Sequence, residues 1–467
     1  MSSSSNGVHI LVFPYPAQGH MLTLLDLSHQ LSLRGLAITI IITPKNLPIL
    51  TPLLSSSPSI QTLILPFPPH PSLPPGVEHV QHIGNHGNIP IMSALSKLRD
   101  PIIQWCASHP NPPSALLSDF FLGWTHSLAD HLRIPRIVYN SCGALLTAVF
   151  DHIWENYDSL KPDIDLKFDH LPRSPSFPWD HLPSLLRRCK DLEYQDKPAA
   201  DFIRTSLAAN VLSWASVYSS FWALEGPFLA LKAGHQRVYS VGPLNLLDGS
   251  SKLRLGDVKP GSDDGVVPWL DGCGDGSVLY VCFGSQKLLK AAQAEALAAG
   301  LERSGIRFIW VVKDLTAQQV ADGYGSVPDG FEPRVSDRGL VVKGWAPQTA
   351  ILSHRAVGGF LSHCGWNSTL EAVAAGVMIL GWPMEADQFV NAKLLVEYMD
   401  TAVLICEGSD TVPDPAELAC KLSESMRGCA TQRDRAKDLR KQALEAVQIG
   451  GSSITDLDKL AQQLSQL

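Results

Sequence analysis

The sequence predicts an α/β protein made of two doubly wound parallel-sheet domains, and three observations support this. Apolar, β-rich runs alternate with helical runs over residues 9–141, and the alternation restarts at residue 277. Between the two series lie residues 245–265, a stretch rich in Gly, Ser, Asp and Lys. At 467 residues the chain is also too long for one ordinary core. Apolar strands that alternate with helices indicate a parallel sheet covered by helices on both faces.

The first series opens with HILVFPYP, predicted as a buried strand over residues 9–16, and continues with a predicted helix over residues 19–35. Further strands are predicted from short apolar runs at residues 36–43, 62–68, 115–121 and 136–141. The pattern then loosens over residues 157–205 into stretches that contain Pro, Asp and Trp. We expect a lid or pocket-lining region there rather than core.

The second series has the same organisation. SVLYVCFGS, residues 277–285, is predicted as a strand, and residues 293–305 as the helix after it. Five later runs each fit a strand: RFIWVVK, GLVVKGW, VGGFLSH, VMILGWP and TAVLICEG. Three amphipathic helices are predicted to close the chain, at residues 415–428, 432–450 and 452–467.

These patterns predict an N-terminal domain over residues 1–244, a linker over residues 245–265 and a C-terminal domain over residues 266–450. We expect the final helix, residues 451–467, to pack back on the N-terminal domain. Ligands of doubly wound sheets bind beyond the carboxyl ends of the strands, so the binding site is expected in a cleft between the two domains.

Composition and charge exclude several classes of function. The formal net charge of −8 argues against nucleic acid or an anionic membrane as the main partner. No run of 18 apolar residues occurs, and the amino terminus has no basic region, so we expect neither a membrane span nor a signal peptide. Nine cysteines without a C-x-x-C pair fit reduced thiols. We therefore expect a cytoplasmic location, and we also expect a monomer.

The stretch VGGFLSHCGWNSTLEAVAAG, residues 357–376, is the most distinctive in the chain. A strand is predicted to end at His363 and a helix to begin near Asn367 and Ser368, which are good capping residues. A helix N-terminus at the carboxyl edge of a strand suits a phosphate group. A metal site would need further ligands at suitable spacing, and nothing marks Cys364 as an ionised nucleophile. The anion-binding interpretation is therefore preferred.

Residues on either side of this stretch fit a nucleotide sugar. Trp345 follows a strand and can stack on a base, although a lone tryptophan there is more often core. Glu371 lies one helical turn beyond Asn367 and can reach ribose hydroxyls. Asp387 and Gln388 follow the next strand and suit the hydroxyls of a sugar. On their own residue types, His20 and Asp119 would be a core histidine and a strand-end cap.

From Trp345 to Gln388 the order WAPQ, HCGWNS, Glu and DQ, with its spacing, resembles the signature box of plant family 1 UDP-sugar glycosyltransferases. FPYPAQGH near the amino terminus, WLD at residues 269–271 and FGS at residues 283–285 extend this resemblance over the whole chain. The sequence of the box is most similar to that of the subgroup that glycosylates flavonols and simple phenolics. The resemblance implies the GT-B fold, in which two Rossmann-like domains face each other across a cleft.

The resemblance also implies a role for each matching residue. Trp345 would stack on the uracil, and Glu371 would bind the ribose. The full UDP-binding set is Ser285, Trp345, Ala346, Gln348, His363, Asn367, Ser368 and Glu371. The sugar-binding set is Ser141, Trp366, Asp387 and Gln388. In this family a terminal Gln goes with glucose donors, so Gln388 favours UDP-glucose.

Catalysis would depend on His20 as the general base and on Asp119, which orients it. A phenol loses its proton as its oxygen attacks the anomeric carbon, and an imidazole steadied by a carboxylate suits this task. Inversion would give a β-glucoside from UDP-α-glucose, and the departing charge would be met by protein groups, with no metal or cofactor required. The acceptor pocket would contain Gln18, Phe121, Phe150 and Glu385, with Ser141 at the acceptor or the sugar.

Four positions depart from the family pattern. Thr23 replaces a frequent Pro, Val377-Met378 replaces Val-Pro, Trp214-Ala215-Ser216 lies where relatives show an aromatic residue followed by Asn-Ser or Asn-Thr, and Gly19 stands where some relatives have a hydroxyl residue. None of these removes a catalytic position.

Several alternatives stay open. The alternative donors within the same fold are UDP-rhamnose, UDP-xylose and UDP-galactose, and the alternative acceptor is a terpenoid. A dehydrogenase would need G-x-G-x-x-G after a strand and a P-loop kinase would need GK[ST], and neither occurs. A non-catalytic nucleotide-sugar binder is the remaining alternative, and the presence of both His20 and Asp119 argues against it.

Overall fold

The computed structural model describes residues 7–162, 164–247 and 265–467. The chain divides into two compact units, one comprising Met1–Gly256 with Glu445–Leu467 and the other Asp257–Leu444. The predicted linker, residues 245–265, falls mostly on residues 248–264, which lie outside the described residues.

The first unit is built on a seven-stranded sheet with the order β3-β2-β1-β4-β5-β8-β9, in which every neighbouring pair is parallel. Its strands are β1 (His9–Phe13), β2 (Ala37–Ile42), β3 (Gln61–Ile64), β4 (Ala115–Asp119), β5 (Arg136–Asn140), β8 (Ala215–Tyr218) and β9 (Arg237–Ser240). A short antiparallel hairpin is formed by β6 (Leu166–Lys167) and β7 (Ser176–Phe177). The predicted parallel α/β architecture is confirmed for this half.

The helices of the first unit connect these strands. They are α1 (Gln18–Leu33), α2 (Thr51–Ser56), α3 (Asn88–Ser96), α4 (Arg99–Ser108), α5 (Thr125–Leu132), α6 (Ala144–Glu155), α7 (Ser184–Gln195), α8 (Lys197–Ala208) and α9 (Trp222–Ala233). Residues 157–205, expected as a lid or pocket-lining region, form α7 and most of α8 in their second half. Leu185, Leu186 and Cys189 give α7 a buried face, and the Asp196 carboxylate accepts from the N–H of Ala199 at the start of α8.

The last helix of the chain, Ser452–Leu464, belongs to the first unit. Leu457, Leu460 and Leu464 are buried in the same apolar cluster as strands β1 and β2. Polar contacts reinforce this packing, since Arg34 donates to Asp458 at 2.7 Å. The apolar face of this helix is therefore part of the first unit's core.

The second unit contains a six-stranded parallel sheet with the order β12-β11-β10-β13-β14-β15. Its strands are β10 (Val278–Cys282), β11 (Arg307–Val312), β12 (Gly339–Lys343), β13 (Val357–Ser362), β14 (Met378–Gly381) and β15 (Ala402–Leu404). Its helices are α10 (Val266–Asp271), α11 (Ala291–Ser304), α12 (Ala317–Ala321), α13 (Phe331–Val335), α14 (Gln348–Leu352), α15 (Trp366–Ala375), α16 (Gln388–Lys393), α17 (Pro415–Arg427) and α18 (Ala430–Ala446). Helix α18 runs to the boundary between the units, and Ser452–Leu464 is α19.

The strand order of each sheet reverses beside its first strand. In the first unit, β2 and β3 lie on one side of β1, whereas β4 and the later strands lie on the other. In the second unit, β10 has the same place between β11 and β13. The loops that follow the two strands at such a reversal diverge and leave room for a ligand. The expected binding positions are therefore after β1 and β4 in one unit, and after β10 and β13 in the other.

A buried arginine supports the end of β4. Arg136 is only 2% exposed, and its guanidinium donates to the side-chain oxygens of Ser118, Thr125, Asn210 and Ser213 at 2.8–3.0 Å. Burial lowers the pKa of Arg136 to about 9, which still leaves it charged at neutral pH. These bonds join β4 and β5 to the loop before β8, and they fix the backbone at the end of β4, where Asp119 lies.

Candidate functional site

His20 and Asp119 lie together at the strand reversal of the first sheet. His20 is in the first turn of α1, directly after β1, and Asp119 is the last residue of β4. The Nδ1 atom of His20 lies 3.0 and 3.1 Å from the two carboxylate oxygens of Asp119, which is fully buried. A carboxylate only accepts, so Nδ1 carries the proton and Nε2 has the lone pair. No described residue forms a hydrogen bond with Nε2.

Ser141 lies against this pair. It follows β5, and its hydroxyl is 2.9 Å from Nδ1 of His20 and donates to Oδ2 of Asp119 at 3.3 Å. The other carboxylate oxygen of Asp119 accepts the N–H of Phe121 at 2.9 Å. The sequence predicted Ser141 as a residue of the site but gave no sign of its contact with the histidine.

Thr23, one of the departures from the family pattern, also contacts the turn that carries His20. Its side chain is 2% exposed, and its hydroxyl donates to the carbonyl oxygens of Gly19 and His20 at 3.2 and 3.3 Å. A threonine hydroxyl can make such a backbone bond within a helix, whereas a proline has no group to do so. Helix α1 is continuous through this position.

Aromatic rings surround the imidazole of His20. The ring of Phe120 stacks on it with centroids 5.4 Å apart, and those of Phe121 and Tyr15 lie 4.7 and 5.3 Å away. Phe150, on α6, is 6.4 Å from Phe120. Phe121 and Phe150 were predicted from the sequence as acceptor residues, whereas Phe120 and Tyr15 were not. Their signal was adjacency, since Phe120 follows Asp119 directly and Tyr15 lies in the loop between β1 and α1.

His363 lies at the strand reversal of the second sheet, packed against two glycines. A Cβ atom on Gly284 would be 2.6 Å from Cε1 of the imidazole, and a Cβ on Gly365 would be 2.5 Å from Nε2. Gly284 also has φ of +76°, which side chains rarely adopt. Both positions therefore require glycine for the ring to lie here. Gly284 is beside Ser285, an exposed residue of the predicted phosphate loop.

Basic neighbours and burial keep His363 neutral. Burial, followed by the positive charges of Lys313 and Lys287, lowers the pKa of His363 to about 3. Its Nδ1 atom is inaccessible and has no hydrogen-bond partner among the described residues. An anionic ligand would give this buried atom a partner, and it would be attracted by the two lysines, Lys287 after β10 and Lys313 after β11.

The helix after His363 begins earlier than the sequence suggested. Strand β13 ends at Ser362, and the N-cap of α15 is Gly365 in an extended conformation, not Asn367 or Ser368. Cys364 has φ of +64°, and this left-handed turn reverses the chain between strand and helix. Asn367 and Ser368 consequently lie in the first helical turn, whose N–H groups have no acceptor within the helix.

Cys364 itself is not placed for nucleophilic chemistry. The side chain is fully buried, and burial raises the pKa of its thiol to about 12. The thiol is therefore protonated at neutral pH, and a thiol is a poor nucleophile. All nine cysteines of the chain are free.

The predicted uridine-binding residues lie around Gln348. Trp345 is 36% exposed after β12, so its indole has a free surface for stacking, whereas Ala346 is buried. The amide nitrogen of Gln348 donates to Glu371 at 2.7 Å and to Ser368 at 3.2 Å. The structure therefore brings the predicted base-binding, ribose-binding and phosphate-binding positions together in the second unit.

Asp387 and Gln388 form the start of α16. Asn391 donates to Asp387 at 2.7 Å and to the carbonyl of Cys364 at 2.9 Å, so it links the loops after β13 and β14. The side-chain oxygen of Gln388 accepts from the N–H groups of Met384 and Glu385. Trp366 is only 3% exposed, which leaves its backbone rather than its ring for contact with a sugar.

The predicted residues fall into one set in each unit. The first unit carries Gln18, His20, Asp119, Phe121, Ser141 and Phe150. The second unit carries Ser285, Trp345, Ala346, Gln348, His363, Trp366, Asn367, Ser368, Glu371, Glu385, Asp387 and Gln388. Glu385 thus belongs to the second unit, whereas the other predicted acceptor residues belong to the first.

The described residues contain neither a metal-binding cluster nor a helix that could span a membrane. Among residues 7–162, 164–247 and 265–467, no three or more His, Cys, Asp or Glu side chains are grouped as a metal ion would need. Within the same part of the chain, no helix is long and apolar enough to cross a membrane.

Comparison with known proteins agrees with this geometry. The family model described as UDP-glucoronosyl and UDP-glucosyl transferase matches residues 258–407. UDP-glycosyltransferase 89A2 of Arabidopsis thaliana is 49% identical over 100% of this chain and 98% of its own length. Flavonol 3-O-glucosyltransferase UGT89B1 of the same species is 47% identical over 98% and 96%.

Solved structures are similar over the same extent. UGT89C1 of Arabidopsis thaliana complexed with UDP-L-rhamnose is 37% identical with a TM-score of 0.80, and the match covers 99% of this chain and 100% of that one. The crystal structure of UGT89C1 complexed with quercetin has a TM-score of 0.79 at 36% identity, over 98% and 100%. These matches confirm the resemblance predicted from the signature box. The chain therefore belongs to the plant family 1 UDP-glycosyltransferases, enzymes of the GT-B fold.

Proposed function

We propose that this enzyme transfers glucose from UDP-glucose to a hydroxyl group of a flavonol or another small phenolic acceptor, with inversion at the anomeric carbon. The observation that carries the proposal is the imidazole of His20, which Asp119 holds at Nδ1 and which has no partner at Nε2 among the described residues. The aromatic rings around it, with Phe120 stacked on the imidazole and Phe121 tilted against it, suit a flat phenolic acceptor.

In the proposed reaction, Nε2 of His20 removes the proton of the acceptor hydroxyl. The acceptor oxygen forms a bond to the anomeric carbon while the bond from that carbon to the oxygen of UDP breaks. The proton stays on the imidazole, and the buried carboxylate of Asp119 stabilises the positive charge. The Ser141 hydroxyl contacts both groups, which supports a part in holding the imidazole in addition to its proposed contact with the sugar.

The second unit would bind the departing UDP. His363, the first turn of α15 and Ser285 would contact the diphosphate, and the developing negative charge is stabilised by groups already in position. Trp345 would stack on the uracil, with Ala346 and Gln348 beside the uridine and Glu371 on the ribose. The proposal includes no metal ion.

Glucose as the transferred sugar is supported by Gln388 and by the similarity to a flavonol 3-O-glucosyltransferase. UDP-rhamnose is the main alternative, because a similar structure contains UDP-L-rhamnose. UDP-xylose, UDP-galactose and a terpenoid acceptor are further alternatives, and a non-catalytic nucleotide-sugar binder is the alternative from another class. A monomeric state and a cytoplasmic location stay predictions.

A panel of acceptors and donors tests the function. Quercetin, kaempferol, simple phenols and a terpenoid alcohol are each incubated with UDP-glucose, UDP-galactose, UDP-xylose and UDP-rhamnose, and products are measured by mass spectrometry. We expect the highest kcat/KM for UDP-glucose with a flavonol, and a β-linked product by NMR. Faster transfer from UDP-rhamnose would contradict the donor assignment. Binding of UDP-glucose with no product from any pair would favour the binder.

The catalytic pair is tested by substitution. His20→Ala is expected to lower kcat about 10²–10⁴-fold, because the acceptor proton then has no base. The Kd of UDP-glucose, measured by calorimetry, should stay within about twofold. His131→Ala removes an exposed histidine from the same unit and serves as the matched control. Near-normal kcat in His20→Ala would refute the assignment of the base.

The neutral His363 predicts a pH effect on stability. Its pKa is about 3 in the folded chain and near 6.5 in an unfolded one, so the unfolded state binds more protons as pH falls below about 6.5. Stability contributed by neutral His363 is therefore full above pH 7 and is lost towards pH 3. When the pH is lowered from 7.5 to 5.0, the free energy of unfolding should fall more in the wild type than in His363→Gln, by on the order of 1 kcal/mol.

The measurement is the melting temperature of both proteins at each pH without ligand. Saturating UDP-glucose should reduce the loss in the wild type, because a bound diphosphate favours the imidazolium. Equal losses in the wild type and His363→Gln would show that His363 does not change its protonation on folding as described.

A further inference from the structure

Tyr280 is a buried tyrosine in the middle of β10, the central strand at the reversal of the second sheet. Its side chain is 1% exposed, and its ring packs on Phe360 with centroids 5.0 Å apart. Its hydroxyl lies 3.2 Å from the side-chain oxygen of Gln348. Neither the signature box nor the resemblance includes this residue.

The direction of the hydrogen bonds around Gln348 follows from chemistry. A carboxylate accepts and cannot donate, so the amide nitrogen of Gln348 must face Glu371, at 2.7 Å. The amide oxygen then faces the other way and can only accept, so the hydroxyl of Tyr280 is the donor. Tyr280, Gln348 and Glu371 thus form one chain of donors and acceptors with a single direction.

The environment of Tyr280 keeps this donor protonated. Burial raises the pKa of its phenol well above the ordinary value, and the neighbouring Cys282 and then Glu371 act in the same direction. The strand that carries Tyr280 is hydrogen-bonded on both sides, to β11 and β13. A hydroxyl on such a strand is a fixed point, whereas Gln348 and Glu371 have long side chains with several rotatable bonds.

We infer that Tyr280 is a positioning residue for recognition of the donor's ribose: it fixes Gln348, which fixes the carboxylate of Glu371 for the ribose hydroxyls. The inference rests on the proposed function, in which Glu371 binds the ribose. Tyr280 does not touch the nucleotide itself. Loss of the Tyr280 hydroxyl would remove the bond that holds the amide oxygen of Gln348 and would weaken the orientation that Gln348 gives to the carboxylate of Glu371.

The test compares UDP with its 2′-deoxy and 3′-deoxy analogues by calorimetry in the wild type, Tyr280→Phe and Glu371→Ala. Tyr280→Phe keeps the ring on Phe360 and removes only the hydroxyl. We expect it to weaken UDP about 3–10-fold, the usual effect of one lost hydrogen bond. One deoxy analogue lacks the hydroxyl that Glu371 binds. Tyr280→Phe should weaken the affinity for this analogue less than twofold, so the ratio of its Kd to the Kd of UDP falls. The kcat at saturating UDP-glucose should stay within twofold.

Tyr218→Phe is the matched control, because Tyr218 is a buried strand tyrosine of the first unit whose hydroxyl contacts Thr147 at 3.1 Å. It should leave UDP affinity and discrimination unchanged. Unchanged UDP affinity in Tyr280→Phe, or equal weakening of UDP and both deoxy analogues, would overturn the inference and leave a packing role only.

The same data separate this inference from the proposed function. If Glu371→Ala abolishes discrimination against a deoxy analogue and Tyr280→Phe does not reduce it, the ribose assignment stands and the inference about Tyr280 is wrong. If the wild type does not discriminate against either analogue, the ribose assignment of Glu371 fails, and the inference fails with it.

Discussion

The parallel arrangement of both sheets is the constraint on which the rest of the structure depends. In a parallel sheet all strands have their carboxyl ends at one edge, so polar residues that follow different strands collect there. The predicted residues occupy positions of this kind in each unit. They follow, or end, successive strands: His20 after β1, Asp119 at the end of β4, Ser141 after β5, Ser285 after β10, Trp345 after β12, His363 after β13 and Asp387 after β14.

Each sheet has one histidine at its strand reversal, His20 after β1 and His363 after β13, and the two imidazoles have opposite surroundings. His20 has a buried carboxylate at Nδ1, which fixes the tautomer of the ring. His363 is packed against two glycines, and burial, followed by the charges of Lys313 and Lys287, disfavours its protonated form. The proposed roles, a base in one unit and an anion contact in the other, therefore depend on the environment of each histidine rather than on residue type. The same logic explains why Cys364, buried and protonated, has no chemical part.

The strands and their alternation with helices could be predicted from the sequence, because burial on both faces of a parallel sheet leaves an apolar run that can be recognised locally. The sequence did not predict that Ser141 contacts His20 or that Tyr280 contacts Gln348, since these contacts depend on the pairing of strands far apart in sequence. Helix α7 was missed because Pro and Asp residues around it masked its periodicity. The start of α15 was misplaced because Gly365 acts as the cap through its backbone conformation, whereas Asn367 and Ser368 only have the composition of caps.

The central claim is that Asp119 fixes the tautomer of His20 and leaves Nε2 as the base. The most direct measurement is the ¹⁵N chemical shift of both ring nitrogens of His20, recorded by long-range ¹H–¹⁵N NMR at a pH where the ring is neutral and assigned with His20→Asn. The account predicts a protonated Nδ1 and an unprotonated Nε2 in the wild type, and loss of this preference in Asp119→Asn. A protonated Nε2 and an unprotonated Nδ1 in the wild type would contradict it.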